Sequence, residues 1–356
     1  MQRRWALCFA LLAWALLAAG TAGTELCPLI VLPPTRSYSD EVERLIEHAA
    51  SSIDLLLASG RLESVSLWDA LIAAGDRGVK VRLLIDASEW APSITSGNTA
   101  VVEALRANGI DARFDDPEVT THAKLAIVDR RIVVVGSANW NRYALTEHRQ
   151  AGLLIEDPAV AAPFVAFFER LWNGDLPAGG IRLPPVPDDT EGAVIVPLPD
   201  APDTSLYAEF VLDSLQAAQR SVHIVMYRMS FYPTFPTSLC NGLVDAVIHA
   251  AARGLDVRVV LDDCAPYPDS LRANLEAAIR LHFQGVAVRL DAPEVTTHAK
   301  LVLIDGETVI LGSTNWNYYA LERNVEASLA VLHSPAVAEP FEAFFEAIWD
   351  DARPLP

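Results

Sequence analysis

The chain has 356 residues, enough for two domains of ordinary size, and 51% of them are hydrophobic, which excludes an intrinsically disordered protein. The formal charge of −19 at pH 7 repels nucleic acid and anionic membranes at long range. It leaves room only for a local basic groove.

At the N-terminus, Arg3 and Arg4 precede an apolar run from Trp5 to Ala19 and the small residues Gly20 to Gly23. This pattern predicts a secretory signal peptide over 1–23, because the run is shorter than the roughly 20 apolar residues of a spanning helix. The expected location is therefore secreted or periplasmic, with an uncleaved anchor as the alternative. Cys27, Cys240 and Cys264 remain after such a leader. An oxidising compartment permits a Cys240 to Cys264 bridge and leaves Cys27 odd.

Further along, a helical stretch from Asp40 to Ala50 is followed by the apolar run Val81 to Ile85, then by Pro117-Glu118-Val119-Thr120-Thr121-His122-Ala123-Lys124-Leu125. The last segment returns 176 residues later as Pro293 to Leu301, with His298 and Lys300 in the places of His122 and Lys124. The same offset relates Gly136-Ser137-Ala138-Asn139-Trp140-Asn141 to Gly312-Ser313-Thr314-Asn315-Trp316-Asn317. Near the end of each half, Pro163 to Phe168 matches Pro340 to Phe345. The chain is thus an internal duplication. We place the first domain at 35–175, a Pro- and Gly-rich linker at 176–203, and the second domain at 204–353. The second half has its own helix from Ser205 to Arg220 and apolar run from Val257 to Leu261. It also carries an aromatic loop, Phe231 to Phe235, that reads either as a lipid-contacting surface or as a packed lid.

Alternating helical and apolar stretches indicate an α/β fold of two duplicated α/β/α sandwich domains with mixed sheets. His122 and Lys124 are two apart in an extended segment, so both side chains face one way. Asp129-Arg130 and Asp305-Gly306 mark hairpin turns. With loops of two residues, antiparallel pairing sets Ser137 opposite His122 and Ser313 opposite His298, with Asn139 and Asn315 just beyond. Imidazole, ammonium, hydroxyl and carboxamide then meet in each half, which suits phosphodiester chemistry. One histidine can attack phosphorus, another can protonate the leaving oxygen, and lysines can neutralise the phosphoryl oxygens. No Asp, Glu or His cluster has metal-ligand spacing, so neither a metal nor another cofactor is expected.

The two sets His122-x-Lys124-x₄-Asp129 and His298-x-Lys300-x₄-Asp305, each followed by Gly-Ser-x-Asn, resemble the paired signature motifs of the phospholipase D superfamily. The resemblance implies pseudo-twofold halves with one active site at their interface, and a phosphohistidine intermediate. It also implies hydrolysis of phospholipid to phosphatidic acid and free headgroup, with transphosphatidylation as a further outcome. A secreted nuclease and a catalytically silent phosphate- or lipid-binding protein are the alternatives. The implied partner is a phospholipid surface, the lack of a basic stripe speaks against nucleic acid, and two histidines in one chain suffice for a monomer. Asp129 and Asp305 complete the motif, although a turn position favours a structural role. Trp140 and Trp316 read as core. His148 occupies the place of Asn324.

Gln150 lies opposite Glu326, where the family usually has a glutamate that orients the signature histidine. If each serves the histidine of its own half, Glu326 makes His298 the general acid, and His122 beside Gln150 stays neutral and carries the intermediate.

Overall fold

The computed structural model describes residues 25–33, 37–63, 66–88, 91–175, 186–187, 193–263 and 267–355. The leader and Cys264 lie outside them. Cys27 and Cys240 are free thiols, and burial pushes that of Cys240 up to about 12.

The first half runs β1 (Glu25–Val31), α1 (Ser37–His48), β2 (Ser52–Leu57), α2 (Ser66–Asp76), β3 (Lys80–Ile85), α3 (Pro92–Ala107) and β4 (Asp111–Phe114). It continues with β5 (Lys124–Val128), β6 (Ile132–Gly136), α4 (Arg142–Thr146), β7 (Gln150–Glu156) and α5 (Pro158–Trp172). Its seven strands form one mixed sheet in the order β1-β7-β6-β5-β2-β3-β4, with β2, β3 and β4 parallel. The second half opens with the short strand β8 (Val186–Pro187), then β9 (Val194–Asp200), α6 (Leu206–Ala217), β10 (Ser221–Met226), α7 (Leu239–Ala252), β11 (Asp256–Leu261), α8 (Pro268–Phe283) and β12 (Ala287–Leu290). It closes with β13 (Lys300–Ile304), β14 (Thr308–Gly312), α9 (Tyr318–Glu322), β15 (Glu326–Leu332), α10 (Pro335–Asp351) and β16 (Arg353–Pro354). The second sheet, β16-β12-β11-β10-β13-β14-β15-β9-β8, repeats the order of the first and adds one short strand at each edge.

Strand alternation explains how the halves meet. In β5, Leu125 and Ile127 face one way and Ala126 and Val128 the other, while Leu301 and Leu303 of β13 do what Leu125 and Ile127 do. These inward residues join Phe164, Phe167 and Phe168 of α5 and Phe341, Phe344 and Phe345 of α10 in one apolar cluster shared by both halves. The outward residues pack under α1, α2 and α3 in the first half and under α6, α7 and α8 in the second. Each sheet is therefore covered on both faces, and the shared layer fixes one half against the other. Trp140 and Trp316 are core residues, as expected.

Two boundaries differ from the sequence reading. The first sheet begins with β1, ahead of residue 35, and β9 lies inside the stretch read as linker. Both strands carry prolines, Pro28 in β1 and Pro197 and Pro199 in β9. Proline removes a ladder donor and is confined to sheet edges, and these strands sit at an edge or beside only a two-residue neighbour.

The hairpin register differs too. Asp129 and Arg130 have φ of 52° and 55°, and Asp305 and Gly306 have 57° and 67°, as a tight turn demands. One further residue, Arg131 or Glu307, is inserted as a bulge, so Val128 pairs with Ile132 and Ile304 with Thr308. The ladder that pairs Leu125 with Val135 then brings Ser137 level with Ala123 instead of His122.

Candidate active site

Each signature histidine stands just before its strand, held there by the other half. His122 N–H donates to Val325 O at 2.8 Å and Val325 N–H to Thr120 O at 2.9 Å. In mirror image, His298 N–H donates to Arg149 O and Arg149 N–H to Thr296 O, both at 2.9 Å. These crossed parallel bridges continue directly into Glu326 and Gln150.

The crossing decides the histidine partners. His122 Nδ1 lies 3.0 Å from both carboxylate oxygens of Glu326. His298 Nδ1 lies 3.0 Å from Ser137 O and 3.2 Å from Gln150 Oε1. The expected pairing within each half is thus overturned, because the strand that carries each partner abuts the opposite histidine. Each Nδ1 faces acceptors, which leaves Nε2 of both rings for chemistry.

Ser137 and Ser313 stand behind these partners. Ser137 Oγ donates to Gln150 Oε1 at 2.7 Å and accepts from Ala151 N–H at 3.1 Å. Ser313 Oγ donates to Glu326 Oε2 and accepts from Ala327 N–H at 2.9 Å. Both serines are fully buried, so they orient the histidine partners instead of offering a hydroxyl to substrate. Asn324 Nδ2 adds a third donor to Glu326 at 3.1 Å.

Lys124 and Lys300 are each 1% exposed, and each Nζ donates to the carbonyl of its own histidine, His122 or His298. Burial brings the Lys124 ammonium down to about 7. Burial and the charge of Lys124 hold Lys300 well below the usual lysine range. Burial also depresses His122, with Glu326 opposing it, and depresses His298 further, where Lys300 and Lys124 add to the effect. Such mutual repulsion in a buried site is relieved either by loss of protons or by an anion bound between the groups. Asn139 Oδ1 and Asn315 Oδ1, from the loops that follow β6 and β14, are buried without a hydrogen-bond partner among the described residues.

Asp129 and Asp305 stand elsewhere. The Asp129 carboxylate accepts from the N–H groups of Ala50, Ser51 and Ser52 at 2.7 to 3.0 Å. Asp305 accepts from Gln219, Arg220 and Ser221 at 2.6 to 2.9 Å. They sit at the far end of β5 and β13 from the lysines, about 16 Å away by strand rise. The catalytic role written for them in the sequence reading is corrected to that of tying the hairpin to the start of β2 or β10.

Sequence reasoning missed Asp86 and Asp262, which follow β3 and β11. Their carboxylates accept from Thr121 N–H at 2.8 Å and Thr297 N–H at 2.7 Å and so brace the histidine segments. Their recurrence at the repeat offset, in Leu84-Ile85-Asp86 and Val260-Leu261-Asp262, was the available signal. Tyr227 was missed as well; its ring lies 4.6 Å from that of His298. The aromatic loop is mostly packed: Phe231 lies under Arg280 at 4.0 Å, and Asn241 holds the backbone of Tyr232 and Phe235, leaving the Phe235 ring 67% exposed.

Comparison with known proteins agrees with the duplication of the chain. A family model described as cardiolipin synthase, PLD-like domain, matches residues 42–172 and again 211–349. Human mitochondrial cardiolipin hydrolase is 33% identical over 161 residues, which cover 45% of this chain and 61% of that protein. Cardiolipin synthase A of Klebsiella pneumoniae subsp. pneumoniae is 26% identical over 348 residues, 88% of this chain and 67% of that one. Among solved structures, phosphatidylserine synthase of Haemophilus influenzae Rd KW20 superposes with a TM-score of 0.69 at 14% identity, covering 92% of this chain and 87% of that one. Polyphosphate kinase of Porphyromonas gingivalis superposes with a TM-score of 0.60 at 15% identity, covering 92% of this chain and 50% of that one. At such identities the last two speak for the fold alone.

Proposed function

Because the chain belongs to the phospholipase D superfamily, we propose that it transfers the phosphatidyl group of a phospholipid to water or an alcohol through a phosphohistidine on His122. The observation that carries the proposal is the Glu326–His122 contact of 3.0 Å, set against the amide and carbonyl partners of His298. Had protonation of the resting ring been decisive, the crossed pairing would assign the acid role to His122. Two other effects favour His122 as nucleophile. Nucleophilicity follows basicity, and His298 is the more depressed of the two rings. Once Nε2 bonds to phosphorus the ring keeps a positive charge, which the Glu326 carboxylate offsets and a neutral amide does not.

In the first step His122 Nε2 attacks phosphorus, the bond to the leaving oxygen breaks, and His298 gives that oxygen its proton. In the second, His298 takes a proton from water or an alcohol as its oxygen displaces His122. The substrate's negative charge offsets the lysine charges that depress His298 and restores its capacity to hold the proton beforehand. Lys124, Lys300, Asn139 and Asn315 would bind the phosphoryl oxygens, the lysines supplying the cationic charge that a metal supplies elsewhere.

The names of the relatives, cardiolipin hydrolase and cardiolipin synthase, support phospholipid as the substrate class. Export through the leader, and function as a monomer, belong to the same proposal. Parallel turnover of phospholipid vesicles and single-stranded DNA, each with a chelator, tests it. Phosphatidate should appear in the first assay, whereas DNA cleavage without lipid turnover would assign the chain to the nucleases.

A further inference from the structure

The two halves fill equivalent places beside their histidine segments differently. In the first half a cavity of about 80 Å³ has apolar walls from Leu84, Val119, Leu171 and Val325. Asp115 and Thr121 supply its polar side, and the exposed Asp116 and Gly174 stand at its mouth. Asp115 Oδ1 accepts from Ala87 N–H at 2.7 Å, whereas its Oδ2 is buried with no hydrogen-bond partner among the described residues. The second half repeats this frame. Asp291 Oδ1 accepts from Asp263 N–H at 2.7 Å, and Val260, Val295, Thr297 and Ile348 take the places of Leu84, Val119, Thr121 and Leu171. Arg149 stands where the first half has Val325. Its guanidinium lies 4.0 Å from Asp291 Oδ2 and donates to Asp351, the counterpart of Gly174. Two carboxylates thus surround each place, Asp291 with Asp351 and Asp115 with Asp116. Among the described residues that line them, a cation is present at Asp291 and none at Asp115.

We propose that the cavity at Asp115 binds the guanidinium end of a small alkylguanidinium ligand, which takes there the place that Arg149 takes at Asp291. The lining selects this class. A guanidinium presents five N–H donors in one plane, enough to reach Asp115 Oδ2 and Asp116 together, and the apolar walls suit the methylene stem behind it. A cavity needs roughly 10–15 Å³ to hold one water, so about 80 Å³ admits a group of several heavy atoms. Burial pushes the carboxyls of Asp115 and Asp291 alike up to about 7; Arg149 opposes the rise at Asp291, whereas Asp86 adds to it at Asp115. A cation against Asp115 Oδ2 offsets both the burial and the charge of Asp86. The cavity also adjoins the segment that holds the nucleophile. Thr121 and Val325 are bridge partners, and His122 N–H donates to Val325 O, so an occupant packs against both residues of the bridge that positions His122.

The test titrates the full chain with n-propylguanidinium by calorimetry at pH 8, where Asp115 is ionised, in about 0.15 M salt, which screens diffuse attraction to the acidic chain. No vesicles are present, so the outcome is independent of lipid turnover. One equivalent should bind with a Kd on the order of 1 mM. n-Propylurea, which has the same shape without the charge, should not bind. Asp115→Asn keeps an acceptor for Ala87 N–H and removes the charge, and should weaken binding about tenfold or more. Asp116→Asn, at the exposed mouth, should weaken it about threefold. Val325→Arg gives the first half the guanidinium that the second half has, and should abolish binding of the probe. Should Asp115→Asn fail to fold, the surface variant Asp116→Asn decides. No saturable binding to the unmodified chain, equal binding of n-propylurea, or an affinity unchanged in these variants would overturn the site.

Discussion

Replacing Glu326 by glutamine separates the two histidine roles. The variant keeps the shape and leaves one oxygen to accept from Ser313, as Gln150 does from Ser137, but it gives up the second acceptor that Asn324 uses and removes the charge 3.0 Å from His122 Nδ1. Two unit charges about 4 Å apart interact by about 4 kcal/mol at an effective dielectric constant of 20. Delocalisation over the ring and relaxation of the site leave roughly 3 kcal/mol of this in the transition state that leads to phosphohistidine. At 1.36 kcal/mol per factor of ten, kcat should fall about a hundredfold. The assay compares an ordinary phospholipid with a phosphodiester whose leaving group is p-nitrophenol, which departs without a proton. Loss of the nucleophile's partner should slow both substrates alike, whereas His298→Ala should slow the ordinary lipid far more than the activated ester. If the activated ester rescues Glu326→Gln and fails to rescue His298→Ala, the roles are reversed and the reasoning from the phosphorylated ring is wrong.

Three further outcomes follow from the same geometry. Asp129→Ala should leave kcat within about twofold but cost roughly 1–3 kcal/mol of stability in a denaturant melt, since three backbone donors lose a charged acceptor. The Asp129 carboxyl is held below its ordinary value by those bonds. Its stabilisation is therefore present above the unfolded-state pKa of about 3.9 and lost as pH falls through the lower folded value; loss of the wild-type advantage over the variant already near pH 6 would contradict this. In kcat/KM profiles taken with chelator present, activity should rise through a limb below pH 6.5, where His122 becomes neutral, and decline as His298 and Lys124, the latter at about 7, lose their protons. A profile flat to pH 9, or activity abolished by the chelator, would count against lysines as the phosphate-binding cations.

The duplication, the α/β class and the histidine–lysine pairs were legible because each is written twice, and a local pattern that recurs at one offset survives any ambiguity in a single copy. The strands β1 and β9 were hidden by Pro28, ahead of the expected start at 35, and by Pro197 and Pro199, inside the stretch read as linker, until the sheet shows them at or near its edge. The bulges at Arg131 and Glu307 carry no residue signature, and one inserted residue shifts the register by one. The pairing of Glu326 with His122 depends on how two sheets lie across a shared core, which no local spacing encodes. Tyr227 escaped notice for the opposite reason: it occurs once, and its counterpart is Ala58, so the repeat that revealed everything else concealed it.

The most direct measurement is to quench the enzyme at high pH, where the phosphorus–nitrogen bond survives, during turnover of phospholipid vesicles with chelator present, and to map the modified peptide by mass spectrometry. A phosphatidyl adduct on the peptide that contains His122 is the predicted result. An adduct on His298, or steady release of phosphatidate with no modified histidine at all, would contradict the account.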